Sequence, residues 1–275
     1  MSAVAEAIAS GTMGGRLWIY VNYHCNLTCT YCLTESGPGV ARRMLPLQRL
    51  PELAHEARET GFTALGVTGG EPFLVAGLAG ALAAMAHELP LVVLSNGTLF
   101  NRRLLGGLKP LAAGDVAIQV SLDSADPDVN DEMRGPRNFA RVVEAISRLR
   151  ETGIKVRVAT TSAGLAAEAL ARLCTLHRSL GVADEDHVVR PIVRRGRAVD
   201  HDLGLDARLT DLPAELTITA DGAFWSPFGP TVHGGRLDTD LLLTRTTRPL
   251  SVPALAMLKV ARASPAGGGS DQKIC

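Results

Sequence analysis

Three thiols stand close together at Cys25, Cys29 and Cys32, in His24-Cys25-Asn26-Leu27-Thr28-Cys29-Thr30-Tyr31-Cys32. Their spacing is C-x3-C-x2-C. A zinc ion that only builds structure takes four protein ligands, so three thiols do not complete such a site. On a four-iron cluster, three thiolates hold three irons and leave the fourth open to a substrate or cofactor. An incomplete ligand set of this kind points to chemistry rather than scaffolding. The thiols follow Leu17-Trp18-Ile19-Tyr20-Val21, an apolar and β-prone run, so a strand end has to position them.

Short polar groups recur at the ends of later apolar runs. Gly69-Gly70-Glu71-Pro72 follows Thr63 to Thr68, and Ser95-Asn96-Gly97-Thr98 closes a third run. Ser121-Leu122-Asp123 closes a fourth, and Met133-Arg134-Gly135 lies in the next loop. Paired glycines let main chain come close to a ligand. The same turn also reads as a plain helix start, with Pro72 in the first turn and Glu71 favoured by the dipole. Asn96, Ser121 and Asp123 are of types that commonly form turns and caps. Arg134 reads either as a loop arginine or as a fork for a carboxylate.

In this order the motifs resemble those of the radical S-adenosylmethionine (radical SAM) superfamily. Its members carry C-x3-C-x-aromatic-C after the first strand of a partial barrel, and Tyr31 fills the aromatic place. The Gly69–Pro72 turn is similar to the family's GGEP segment, and the resemblance covers roughly residues 15 to 200. It implies one [4Fe–4S] cluster on Cys25, Cys29 and Cys32, with S-adenosylmethionine chelating the open iron. It further implies reductive cleavage to a 5′-deoxyadenosyl radical that abstracts a substrate hydrogen atom. Tyr31, Gly69, Gly70, Glu71, Pro72, Asn96, Ser121, Asp123 and Arg134 are then the cofactor-contacting positions. Of these, the turn meets the cofactor's ammonium group. Asn96, Ser121 and Asp123 meet its ribose hydroxyls or carboxylate, and Arg134 that carboxylate. A flavodoxin or ferredoxin is the implied reductant. The implied substrate is a peptide or a small biosynthetic intermediate. A cyclase like the molybdopterin-precursor synthases, a glycyl-radical-activating enzyme and a non-catalytic iron–sulfur redox protein are the alternatives.

Six apolar runs predict strands: Arg16 to Val21, Thr63 to Thr68, Leu91 to Ser95, Val116 to Leu122, Lys155 to Thr161 and His187 to Val193. Helical stripes lie between them, at Leu50, Leu53, Ala54 and Ala57, at Phe139 to Leu149, and at Leu170 to Leu180. Strand–helix alternation predicts parallel strands with both faces covered. The expected fold class is α/β, a partial (β/α)6 TIM-type barrel with a short C-terminal hairpin extension. Residues 1–15 are expected to form a leader, 16–200 the barrel, 201–262 the extension and 263–275 a flexible tail. Ligands of such folds bind beyond the C-terminal strand ends, where all these motifs fall.

After Arg197 the alternation breaks. Asp221-Gly222 between Leu216–Ala220 and Ala223–Trp225 is a hairpin signal. The stretch resembles the opening of the SPASM or "twitch" extension of peptide-modifying relatives, in which a cluster-binding cysteine usually follows. Here Ser226-Pro227-Phe228 stands in that place. The extension is therefore expected to serve substrate engagement, and its deletion to leave the iron site intact. A side chain at Gly70 is likewise expected to intrude on ligand space while the cluster still assembles.

The remaining candidates have plainer readings. Arg190, Arg194, Arg195 and Arg197 flank the sixth run and either hold an anionic ligand or form a solvated basic loop. Cys174 reads as core, Cys275 as an exposed thiol, His24 as a loop residue and His177 as part of a buried face. With 28 basic and 28 acidic residues the net charge is zero, which argues against a nucleic-acid surface. The most apolar stretch, Leu74 to Leu94, is broken by His87, Glu88 and Pro90, so no membrane span is expected. Clustered cysteines without a disulfide pattern, and no signal peptide, give a cytoplasmic expectation.

Overall fold

Val, Ile and Leu runs covered on both faces fold as central parallel strands. The computed structural model describes residues 2–162, 164–263 and 272–273, and six such strands form its middle. They are β1 (Arg16–Tyr20), β2 (Ala64–Thr68), β3 (Leu91–Ser95), β4 (Val116–Ser121), β5 (Lys155–Ser162) and β6 (His187–Pro191). Each pairs in parallel with the next, in sequence order. Between them lie α2 (Arg49–Thr60), α3 (Leu78–Ala86), α4 (Arg102–Leu108), α5 (Pro127–Arg134), α6 (Asn138–Glu151) and α7 (Ala167–Ser179). The short helix α1 (Ala3–Ala9) precedes β1. This is the expected α/β partial barrel, and strand boundaries lie within two residues of those read from the runs.

Alternation along the strands sorts side chains between two layers. Leu17, Ile19, Leu65, Val67, Val93, Ile118 and Val120 join the core beneath the helices, with Leu50, Leu53, Leu82, Met85, Val142 and Ile146. Trp18 and Tyr20 point the other way, into the barrel. Trp18 fills space that β2 leaves at Gly66, where an added Cβ would stand 2.3 Å from the indole ring.

The C-terminal segment builds onto the barrel rather than beside it. The expected hairpin is β7 (Thr217–Thr219) and β8 (Gly222–Phe224), antiparallel around Asp221. β7 also pairs in parallel with β1, and β11 (Leu242–Thr244) pairs with β8. A second small ribbon joins β9 (Val232–His233) to β10 (Arg236–Leu237). The short helix α8 (Arg197–Asp200) follows β6. A further helix, α9 (Ser251–Ala263), packs its Pro253, Ala254, Met257, Leu258 and Ala261 inward. It lies in the stretch expected only as an extension, for which no helix was predicted. Pro253 falls in the first turn, where amide groups have no helical partner to lose.

Of the expected tail, Gln272–Lys273 forms β12 and pairs antiparallel with β6. Ala263 closes α9, and residues 264–271 and 274–275, with Cys275, lie outside the described residues. Among the described residues no helix is long and apolar enough to cross a membrane.

Candidate functional site

The loop after β1 carries Cys25, Cys29 and Cys32 to the C-terminal mouth of the barrel. All three thiols line one cavity of about 240 Å³. Tyr31, Gly69, Gly70, Asn96, Ser121 and Arg134 line it too. The thiols and Tyr31 follow β1, Gly69 and Gly70 follow β2, Asn96 follows β3, Ser121 ends β4 and Arg134 closes α5 beyond it, so parallel topology gathers them. Burial pushes the Cys25 thiol up to about 12 and raises that of Cys29 as well. Thiols so placed ionise when a metal supplies the positive charge. Three soft thiolates around one cavity are the usual ligands of a polynuclear iron–sulfur cluster. The residues present fit the group.

The Gly69–Pro72 turn sits directly under the thiol loop. The Gly70 N–H donates to the Asn22 carbonyl at 2.9 Å, and the Glu71 N–H to that of His24 at 2.8 Å. A Cβ on Gly70 would meet the His24 carbonyl oxygen at 2.2 Å and its carbon at 2.5 Å. The close approach that requires glycine is therefore to the chain leading into Cys25, not to ligand space. This reverses the expectation for Gly70→Val. Its side chain displaces residues 23–25, and overpacking of this kind costs roughly 1–3 kcal/mol. We expect a lower melting temperature and impaired iron incorporation, measured after anaerobic reconstitution. Full iron content at wild-type stability would show that the loop moves aside freely.

Glu71 and Pro72 do not line the cavity. Glu71 is fully buried, and its carboxylate accepts from the Ser95 hydroxyl at 3.0 Å, the Asn96 N–H at 2.8 Å and the Phe73 N–H at 3.1 Å. Burial raises its pKa to about 7, against these three bonds. The carboxylate thus braces the end of β3 instead of facing a ligand. Pro72 opens a single 3-10 turn, Pro72–Leu74. Asn96, held by this brace, points its amide at the Cys25 sulfur at 3.6 Å and at the Asn26 side chain at 2.9 Å.

Asp123 is also turned into the protein. Its carboxylate accepts from the Thr161 N–H at 2.8 Å and pairs with Arg134 Nη1 at 3.0 Å. The Tyr31 hydroxyl donates to the same carboxylate at 2.5 Å, and Arg134 Nη1 donates to that hydroxyl. Tyr31 and Arg134 are thereby fixed to face the cavity. Burial pushes the Tyr31 hydroxyl well above its ordinary pKa, so it stays protonated. Arg134 is 5% exposed, and its Nε is buried with no protein partner.

The four arginines around β6 separate by role. Arg190 lines the cavity. Arg194 pairs with Asp202, and Arg195 with Asp240 at 2.7 Å and 2.8 Å. Arg197 reaches the thiol loop itself, donating to the Cys29 carbonyl at 2.6 Å and the Ser36 carbonyl at 2.9 Å. His177 and His187 meet edge to face at 4.2 Å. Burial holds them down to about 3 and about 4, so both are neutral near pH 7. Cys174 is buried as expected.

Sequence reading passed over Trp18, Tyr20, Thr68, Ile192 and Val193, all in the cavity wall. The signal was available in period two: Trp18 and Tyr20 share the face of β1 opposite Leu17 and Ile19. Pro227 and Phe228, which stand where relatives of the SPASM type have a cysteine, line the cavity as well.

A parallel partial barrel with three thiols at its mouth defines a class, and comparison gives the family. The family model described as the Radical SAM superfamily matches residues 19–173. That is more than half of the chain, which belongs to the radical SAM superfamily. The chain is 32% identical over 141 residues to the antilisterial bacteriocin subtilosin biosynthesis protein AlbA of Bacillus subtilis, covering 50% of this chain and 31% of AlbA. It is 31% identical over 140 residues to the GTP 3′,8-cyclase of Pseudomonas putida, covering 49% of this chain and 41% of the cyclase. It spans less than half the length of these curated relatives. Among solved structures, native anSMEcpe with bound AdoMet aligns over 92% of this chain and 84% of its own, with a TM-score of 0.66 and 12% identity, a likeness of fold. Members of the family use a [4Fe–4S] cluster and S-adenosylmethionine, and these are the cofactors of this chain.

Proposed function

We propose that the chain holds one [4Fe–4S] cluster through Cys25, Cys29 and Cys32, binds S-adenosylmethionine beside it, and removes a hydrogen atom from a peptide substrate. The observation that carries this reading is the single cavity shared by three thiols and a half-ring of strand-end polar groups. When bound, the two cofactors together supply a hydrogen-abstracting radical; a reduced flavodoxin or ferredoxin supplies the electron.

The protein's part is to bind, orient and exclude water. Main chain at Gly69 and Gly70, the Asn96 amide, the Ser121 hydroxyl and the Tyr31 ring surround the cofactor. The unpartnered Arg134 Nε receives an anionic group, since a buried donor left unpaired costs about 1–3 kcal/mol. Glu71, Pro72 and Asp123 act one step back, by bracing these groups. On the other wall, polar handles are already spent. The Trp18 indole N–H donates to Glu215 at 2.6 Å, and the Tyr20 hydroxyl to the Pro227 carbonyl at 2.8 Å. With Ile192, Val193 and Phe228 they present apolar surface that shields a radical from solvent.

The name of AlbA, a bacteriocin biosynthesis protein, favours a peptide over other substrates; the cyclase match favours a nucleotide. Deuterium tracing separates them. Reconstituted protein is incubated anaerobically with dithionite, S-adenosylmethionine and either deuterated candidate peptides or deuterated GTP. Label in 5′-deoxyadenosine from a peptide supports the reading, and label from GTP alone replaces it with the cyclase. No cleavage of S-adenosylmethionine under any condition would leave an iron–sulfur redox protein.

A further inference from the structure

We propose that Arg197 is a positioning residue for the iron–sulfur cluster, clamping the thiol loop by its backbone carbonyls and holding a fixed positive charge beside it. The inference rests on the assignment of Cys25, Cys29 and Cys32 as cluster ligands.

Loops are costly to hold, because their carbonyls have no ladder to bond to. This loop must hold three thiols at fixed separation without a strand of its own. Arg197 meets three of its carbonyls from a single residue. The guanidinium takes those of Cys29 at 2.6 Å and Ser36 at 2.9 Å, and the Arg197 N–H donates to that of Cys32 at 3.0 Å. Two of the three belong to the ligand cysteines. The planar fork suits this geometry, since its separate N–H groups reach two acceptors at once.

The residue before it makes the approach possible. Gly196 has φ +56°, and a Cβ there would lie 2.3 Å from the Leu33 carbonyl oxygen and 2.7 Å from that of Cys32. The exit loop of β6 therefore touches the thiol loop only because the chain has no side chain at that point. Asp202 and Asp240, which could compete for a guanidinium, are engaged by Arg194 and Arg195. Arg197 is left to the carbonyls.

Charge follows from the same contact. The guanidinium lies against the Cys29 carbonyl, so its positive charge is held beside the thiol loop. A positive charge beside a cluster favours the added electron, so net charge and hydrogen bonding set its potential. Outer groups that orient metal ligands typically change metal affinity by about 10–100-fold when removed.

The test uses the full chain, reconstituted anaerobically, with Arg197→Gln and Arg197→Lys. Readouts are iron release to a ferrous chelator and the midpoint potential from a redox titration followed by electron paramagnetic resonance. Arg197→Gln loses the charge and most of the fork. We expect iron release about 10-fold faster or more and a more negative midpoint. Arg197→Lys keeps the charge and loses the fork, so release stays fast while the midpoint returns toward wild type. Wild-type release and potential in Arg197→Gln would overturn the proposal, as would an unshifted midpoint alone. Should Arg197→Gln fail to fold, Arg197→Lys decides: faster release supports the clamp and wild-type release overturns it. Iron retained by the Cys25→Ala, Cys29→Ala, Cys32→Ala variant would instead overturn the ligand assignment.

Discussion

Anaerobic reconstitution of the wild-type chain is expected to give about four irons per chain, and the Cys25→Ala, Cys29→Ala, Cys32→Ala variant almost none. The cysteines share one cavity, and in the proposed assignment each holds one iron, so removing all three leaves the cluster no anchor in this loop. The fold should survive the change. Alanine is smaller than cysteine, and Cys29 and Cys32 are only half-buried, which keeps the cavity term small. Most main-chain bonds of the loop do not involve the sulfurs: Arg197 takes the Cys29 carbonyl and the Gly37 carbonyl takes the Cys25 N–H, and only the Leu27 N–H, which donates to Cys25 Sγ at 3.4 Å, loses a sulfur acceptor. A melting temperature near that of the wild-type apoprotein, with iron lost, is the signature of removed ligands. About eight irons in the wild type would mean a second cluster and would contradict the single-cluster assignment.

The thiol triad and the strands that carry its partners were legible in sequence because both depend on local pattern. Parallel strands covered on both faces must read as apolar runs, and the groups that follow them must lie at one end of the sheet. Direction was harder to read. Glu71 and Asp123 are short polar residues at strand ends, and either a ligand or a neighbouring loop satisfies such a group equally well. The structure shows them bonded to Ser95, Asn96, Thr161 and Arg134, contacts that sequence order does not reveal. Arg197 was hidden for a related reason. Its acceptor at Cys29 lies 168 residues away, and a run of arginines looks the same whether it faces solvent or another loop. The hairpin at Asp221-Gly222 was readable from its turn, but its pairing with β1 is non-local and had no signal.

That pairing changes the expectation for a chain lacking residues 214–275. Read from sequence alone, the segment looks separable from the iron site. In the structure it is joined to the barrel at four levels. β7 extends the sheet from β1. Glu215 and the Pro227 carbonyl hold Trp18 and Tyr20. Leu216, Ile218, Trp225, Leu250 and Met257 share one core with Leu17, Ile19, Leu50 and Leu53. The ribbon of β9 and β10 grips the thiol loop directly: the Val232 N–H donates to the Leu33 carbonyl at 2.9 Å, and Glu35 accepts from Gly234 and Gly235 at 2.9 Å and 3.0 Å. Exposing one large buried aliphatic side chain costs about 1.5–3 kcal/mol. Four of them would match the whole stability of a typical domain, about 5–15 kcal/mol. The truncated chain should therefore aggregate or melt far below the full chain, and retain little iron after reconstitution. A narrower change isolates the grip from the core. Glu35→Ala removes the acceptor of two ribbon amides but no core residue, so it should speed iron release to a chelator while shifting the melt by only a few degrees. If the truncated chain instead folds with a full cluster, the extension is an accessory after all, and the contacts to Leu33 and Glu35 do not support the iron site.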